Sequence, residues 1–314
     1  MKTKLIRTIT LNPCFDLHYT IPEFFAGKEN LVTGISVEAG GKGVNTSRAL
    51  TVNGEDNLAY IVVGDENGDA FISRMEKYGV PCRYFKVSGR LRENITIHPD
   101  VGKETRISLS TFKVPKSTFE EIEAAILAED TANMLVSFSG RIPNGLEKAD
   151  VKSFIKKLIA SGAKVAVDSA SFVPDDLVEL HPWFIKPNEQ EIETFIGETP
   201  KTVRDAADVA EKLVKECVSE TVMISLGGDG AAFSDGTDKY ILKVPKLEDP
   251  ASTIGAGDST IGGLLAGIAK GLDLADALRL AVAYGTAACM TEGTCPPRPE
   301  DVKTVFAKTV AEKI

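Results

Sequence analysis

The chain has one tryptophan, three histidines and five cysteines in 314 residues. Cys14, Cys82, Cys217, Cys289 and Cys295 are odd in number and contain no CxxC pair, which speaks against a disulfide frame and for reduced thiols in the cytoplasm. His18, His98 and His181 stand apart and no HExxH occurs, so a zinc centre or a histidine-based triad has little to build on. No apolar run approaches a membrane span, and Met1 to Leu11 carries Lys2, Lys4 and Arg7 without the apolar centre of a signal peptide. Basic charge is also scarce: 36 Lys and Arg against 45 Asp and Glu leave a net charge of −9 with no basic block, which argues against nucleic acid as a partner. An anionic ligand would therefore need a local cationic pocket or a metal. The sequence has no GxxxxGK[ST], no GxGxxG after its first apolar run and no GxSxG. An ordinary P-loop and a hydrolase elbow are thereby excluded, and a dinucleotide-binding dehydrogenase is disfavoured.

What remains is a globular composition, 43% hydrophobic and 26% charged, long enough to bury about three-quarters of its surface. No tandem repeat, low-complexity tract or long linker divides it, so a single domain over 1–314 is expected. Short apolar runs at Leu5–Leu11, Leu58–Val63, Met134–Phe138, Lys164–Val167, Trp183–Ile185 and Val222–Leu226 end in turn-forming residues and read as buried parallel strands. Helical patterns at Val44–Val52, Ala70–Tyr78, Phe119–Leu127, Val151–Ala160, Val203–Cys217 and Ile261–Lys270 lie between or after them. That alternation implies βαβ crossovers and an α/β fold whose sheet is covered on both faces. Two stretches, about 16–37 and 82–112, alternate polar and apolar residues as half-buried antiparallel strands do, and predict a small second sheet placed as a lid over the strand ends.

In such folds ligands bind beyond the carboxyl ends of the strands, where helix N-termini offer free N–H groups to anions. Gly40-Gly41-Lys42-Gly43-Val44-Asn45 precedes a helical pattern, and is either a ligand-approaching loop with Lys42 and Asn45 as polar contacts or a plain glycine turn. Gly255-Ala256-Gly257-Asp258 opens another helix. There the backbone can face a transferred phosphoryl group and Asp258 can take a proton from an attacking hydroxyl, although an acidic residue is also favoured there by the helix dipole alone. Asn188 and Glu191, three apart after Lys186-Pro187, share a helical face suited to Mg²⁺ held through water, or simply cap a helix. Ser225-Leu226-Gly227-Gly228-Asp229-Gly230 can border a nucleotide or form a hairpin turn.

Taken in order, Asn12-Pro13 with Asp16, GGKGxN at 40–45, KPNxxE at 186–191, SLGGDGA at 225–231 and GAGD at 255–258 resemble the ribokinase-like sugar kinases of the PfkB family over nearly the whole chain. The resemblance implies a ribokinase-like, doubly wound, mostly parallel sheet with a β-sheet lid, ATP as phosphoryl donor and Mg²⁺. It implies Asp258 as catalytic base and Gly255, Ala256 and Gly257 as the anion hole. Asn188 and Glu191 would organise Mg²⁺, while Lys186, Ser225, Gly228 and Gly230 would border the nucleotide. Asp16, Gly41, Lys42, Asn45 and Ser139 would face the sugar. The segments Thr10-Leu11-Asn12-Pro13-Cys14-Phe15-Asp16 and Gly89-Arg90-Leu91-Arg92-Glu93-Asn94 are similar to those of the branch acting on ketohexose monophosphates, with Arg92, assisted by Arg90 or Lys42, on the substrate's own phosphate. Fructose 1-phosphate is the leading acceptor on this reading and tagatose 6-phosphate the alternative. An unphosphorylated sugar or nucleoside, or sugar-phosphate binding without catalysis, lies further off. Glu104-Thr105-Arg106-Ile107-Ser108-Leu109 departs from both phosphosugar relatives. Family lids also suggest a homodimer formed through the lid.

Overall fold

The computed structural model describes residues 4–109 and 112–314. Along the chain come β1 (Leu5–Thr10), β2 (Cys14–Glu23), β3 (Gly34–Gly40), α1 (Lys42–Val52), β4 (Asn57–Gly64), α2 (Gly68–Lys77), β5 (Cys82–Val87), β6 (Arg92–Val101) and β7 (Thr105–Ser108). There follow α3 (Lys116–Leu127), β8 (Met134–Ser139), α4 (Lys148–Ala160), β9 (Lys164–Asp168), α5 (Pro174–Leu180), β10 (Phe184–Ile185), α6 (Glu189–Ile196) and α7 (Val203–Lys215). The remainder is β11 (Thr221–Ser225), β12 (Ala231–Ser234), β13 (Lys239–Lys243), α8 (Ala256–Ala269), α9 (Leu274–Ala288), α10 (Pro299–Lys308) and β14 (Val310–Lys313).

Ten strands form the main sheet in the order β14-β13-β12-β11-β10-β9-β8-β1-β4-β5. The seven from β11 to β5 are parallel, and β12, β13 and β14 extend the sheet antiparallel. The parallel strands read as unbroken Val, Ile and Ala runs because helices cover both faces. One core gathers Phe71, Phe119, Phe154 and Ala207 from α2, α3, α4 and α7. The other gathers Ile261, Leu278 and Val302 from α8, α9 and α10 over Ile6, Leu135 and Met223 of the sheet. Gly263 and Gly267, one turn apart on α8, let α9 lie against its backbone: a Cβ at Gly263 would stand 2.6 Å from Leu280 O, and one at Gly267 2.8 Å from Ala277 Cα.

The second sheet has the order β3-β2-β6-β7. Its central pair, β2 and β6, is parallel, whereas the outer pairs are antiparallel as expected. The stretch expected at 82–112 enters this sheet only from Arg92. Cys82–Val87 instead pairs with β4 at the edge of the main sheet, where one open side produces the same polar and apolar alternation. Residues 110 and 111 of that stretch lie outside the described residues. Because β1 passes directly into β2 and β3 returns to the start of α1, the small sheet is tied to the main one beside the strand at which its order reverses.

Candidate active site

A cleft of about 420 Å³ opens between the small sheet, the carboxyl ends of β9 and β10, and the first turns of α1 and α8. Asp258, in the first turn of α8, is buried in this cleft, 7% exposed. Its Oδ2 accepts a hydrogen bond from Asn45 Nδ2 at 2.8 Å, and its backbone carbonyl accepts one from Thr46 Oγ1 at 3.1 Å. Burial pushes the Asp258 carboxyl up to about 6, with Asp168 adding to the effect and Lys42, Asn45 and Lys186 opposing it. Such a carboxylate is ionised at neutral pH yet basic enough to accept a proton. Asn45 Oδ1 is buried without a partner among the described residues, which leaves an acceptor for a ligand hydroxyl beside this acid.

Positive charge surrounds the start of α8. Gly255 enters the helix at φ 77°, and Ser259 N–H makes the first intrahelical bond, to Gly255 O at 2.8 Å, so the preceding amides stand ahead of the ladder. The buried Lys186 lies against them, since a Cβ on Gly257 would be 3.0 Å from its Nζ. A lysine pressed on the positive end of a helix is favourable only when an anion completes the site. Lys42 Nζ donates to Asp168 Oδ1 at 2.8 Å. Burial opposes the charge on Lys42, but Asp168 and Asp258 outweigh it and hold the ammonium well above the usual lysine range.

On the opposite wall Arg92 is fixed by Nε and Nη2 to Asn12 Oδ1 and O, at 3.0 and 3.3 Å, and by Nη1 to Asn94 Oδ1 at 2.7 Å. All three acceptors are uncharged, so the guanidinium keeps its charge for a ligand. Asn94 Nδ2 in turn donates to Asp16 Oδ1 at 2.9 Å. Asp16 is seated over Gly40, where a Cβ would fall 1.9 Å from Oδ2, and Gly41 adopts φ 121° to turn the chain into α1. Asn188 and Glu191 also line the cleft while forming a reciprocal cap: Glu191 N–H donates to Asn188 Oδ1 at 2.9 Å and Asn188 N–H to Glu191 Oε2 at 3.0 Å. No group of three or more His, Cys, Asp or Glu able to enclose a metal occurs among the described residues. Mg²⁺ needs none, because it keeps several waters and binds through one or two carboxylates plus substrate phosphates. The carboxylate of Glu191 at the rim, near Lys186 and α8, fits that pattern.

The structure thus brings together Asp16, Gly41, Lys42, Asn45, Arg92, Lys186, Asn188, Glu191, Gly255, Gly257 and Asp258. Ala256 lies between two lining glycines without itself lining the cleft. Arg90 precedes β6 and its Nη2 pairs with Glu93 at 2.5 Å, away from the cleft. Ser139 is buried with its Oγ 2.7 Å from Ser137 Oγ. Ser225 ends β11, and Gly228 and Gly230 belong to the turn joining it to antiparallel β12, all three beyond the lining residues. Ser225 N–H donates to Pro187 O at 3.1 Å, which sets that turn next to the Lys186–Asn188 segment. Sequence reasoning did not single out Asp168, Asn94 or Arg106, all of which line the cleft. Asp168 had a signal, an acid ending an apolar strand, as did Asn94 in the Arg92 segment. Arg106 had none, because only the pairing of β7 to β6 turns it inward.

A fold with an order-reversing parallel sheet and an acid at a glycine-rich helix start defines a phosphoryl-transfer enzyme of the ribokinase type. Residues 10–301 match the model of the pfkB family carbohydrate kinases, and the chain belongs to that family as an ATP-dependent sugar kinase. It is 30% identical to the 1-phosphofructokinase of Escherichia coli (strain K12) over 286 residues, 91% of each chain. It is 28% identical to the 1-phosphofructokinase of Bacillus subtilis (strain 168), covering 92% of this chain and 93% of that one. The fold matches that of Escherichia coli phosphofructokinase-2 in complex with substrates and products, with a TM-score of 0.89, 24% identity and coverage of 97% and 99%. Among the described residues no helix is long and apolar enough to cross a membrane.

Proposed function

We propose that the chain transfers the γ-phosphoryl group of ATP to the 6-hydroxyl of fructose 1-phosphate, giving fructose 1,6-bisphosphate. The observation that carries this reading is a cleft with an ionisable buried acid, Asp258, at one end and a carboxylate-free guanidinium, Arg92, at the other. A ketose monophosphate lying between them presents its free hydroxyl to the acid and its phosphate to the arginine. The curated relatives named 1-phosphofructokinase support this acceptor.

Asp258 would accept the proton of the 6-hydroxyl as its oxygen attacks the γ-phosphorus. Asn45 holds the carboxylate in place through Oδ2 and offers its unpartnered Oδ1 to a sugar hydroxyl. The amides at Gly255–Gly257 and the Lys186 ammonium would receive the charge spreading over the transferred oxygens, without reorganisation at the moment of reaction. Asp16, oriented by Asn94, would accept further sugar hydroxyls. Glu191 and Asn188 would hold Mg²⁺ through water, and the ion would supply charge neutralisation to the nucleotide's phosphates. The small sheet would act as a lid that excludes water from the cleft. Its exposed Ile35 and Val101, 67% and 66% open, with Leu31 of the β2–β3 loop 77% open, support a homodimer formed through this sheet.

The test is Mg²⁺-dependent ADP release with fructose 1-phosphate, tagatose 6-phosphate, fructose 6-phosphate, ribose and adenosine, with light scattering on the same sample. Fructose 1-phosphate is expected to have the highest kcat/KM. Preference for ribose or adenosine would refute the phosphosugar reading, and preference for tagatose 6-phosphate would reverse the direction in which the ketose lies.

A further inference from the structure

Arg106 is a cleft-lining cation that the reaction described above leaves unused. It lies on β7, where Arg106 stands opposite Thr96 and Ser108 opposite Asn94. Across β6, Asn94 pairs with Asp16, and Arg92 with Cys14. Cross-strand partners and alternate residues share a face, so Arg106 stands on the same inner face as Arg92, Asn94 and Asp16. Its only charged partner among the described residues is Glu104, two residues away on the same strand face, with Nε 2.6 Å from Oε1. The pair is open to water, the two side chains being 52% and 38% exposed, and exposed pairs of this kind are readily exchanged for a better anion. Glu104 would not be stranded by that exchange, because its carboxylate is open to water.

We infer that Arg106 is a specificity-determining residue, the second arm of a clamp on the substrate's own phosphate, held by Glu104 until that phosphate arrives. The inference rests on the phosphosugar reading and deepens it. Three donors of Arg92 are already committed to Asn12 and Asn94, so one fixed guanidinium cannot satisfy a phosphate dianion. A second, solvent-exposed guanidinium on the same face supplies the remaining oxygens with paired N–H donors. An unphosphorylated sugar gives Arg106 no reason to leave Glu104.

Steady-state kinetics of Arg106→Gln, Arg106→Lys and Glu104→Gln test it. Arg106→Gln should raise KM for fructose 1-phosphate about 10- to 100-fold, the scale of lost charged hydrogen bonds, with KM for ATP and kcat changed less than about threefold. Arg106→Lys should recover only part of the loss. Glu104→Gln should lower the same KM, because the arginine no longer leaves a carboxylate. A KM within twofold of the parent in Arg106→Gln, an equal rise in KM for ATP, or a Glu104→Gln variant as impaired as Arg106→Gln would each overturn the inference. Calorimetric titration with fructose 1-phosphate in the absence of nucleotide separates it from the kinase reading. Weaker binding by Arg106→Gln in a protein that releases no ADP sustains the clamp and refutes the kinase. Absent or equal binding overturns the clamp whatever the turnover.

Discussion

Replacing Asp258 with asparagine should cut turnover sharply and stabilise the fold, and both effects follow from the same burial. In the parent, burial raises the carboxyl from 3.8 to about 6. Raising a buried acid by that much costs the ionised native state about 3 kcal/mol at neutral pH. The sign follows from proton binding: the native form holds its proton more tightly than the unfolded chain. The contribution of this group is therefore fully present below pH about 4 and is lost as pH rises through about 6. Asparagine keeps the shape and can still accept from Asn45 Nδ2, but it carries no charge to desolvate. Thermal melting at pH 7.5 should show Asp258→Asn above the parent, with the gap closing toward pH 4. Turnover moves the other way. Loss of a positioned general base removes about 10²- to 10⁴-fold in kcat, or about 3 to 5 kcal/mol of transition-state stabilisation. In the parent, kcat/KM should rise with pH through about 6 and then level, as Asp258 ionises. The assay is coupled ADP release across pH 5 to 8.5 beside melting curves in the same buffers. A variant within tenfold of the parent in kcat, or one that melts lower at pH 7.5, would refute the reasoning.

Three further substitutions probe the neighbouring parts. Gly257→Ala puts a Cβ 3.0 Å from Lys186 Nζ, and the displaced ammonium should lower kcat about 10- to 100-fold with little change in melting, read by ADP release. Gly40→Ala puts a Cβ 1.9 Å from Asp16 Oδ2; the carboxylate must move, so KM for the sugar should rise about tenfold or more while KM for ATP holds. Lys42→Met strips the buried Asp168 of its cation, and chemical denaturation should register a loss of about 1–3 kcal/mol, reduced because the lysine is partly exposed. Since Lys42 also holds the Asp258 carboxyl down, the rising limb of the pH–rate profile should move to higher pH in that variant.

The parallel sheet was legible because strands buried on both faces must be continuously apolar, as in Leu58–Val63 and Met134–Phe138. The antiparallel extension was not, since β12 and β13 are short and β14, with Val310 and Lys313 open, carries no burial pattern. Cys82–Val87 alternates like a strand of the small sheet because it is an edge strand, and alternation records how many faces are buried rather than which sheet pairs. The parallel pairing of β2 with β6 comes from the crossover through β4, α2 and β5, which no local pattern encodes. At the site, Asp258 could be found because glycine beside an acid at a helix start is unusual in itself. Arg90 and Arg92 stand two apart and would share a face on one strand. The chain, however, turns at Gly89 with φ 112° and β6 begins only at Arg92, so one arginine enters the cleft and the other meets Glu93. Arg106 needed the register of β7, and Asp168 needed the lysine that only α1 delivers.

The most direct measurement is phosphorus NMR of the sugar product after turnover of ATP and fructose 1-phosphate with Mg²⁺, run beside the Asp258→Asn variant. The account predicts a second phosphate on O6, formed in step with ADP and at least about a hundredfold more slowly by the variant. ADP appearing with only inorganic phosphate, or the same bisphosphate produced at an undiminished rate by Asp258→Asn, would contradict it.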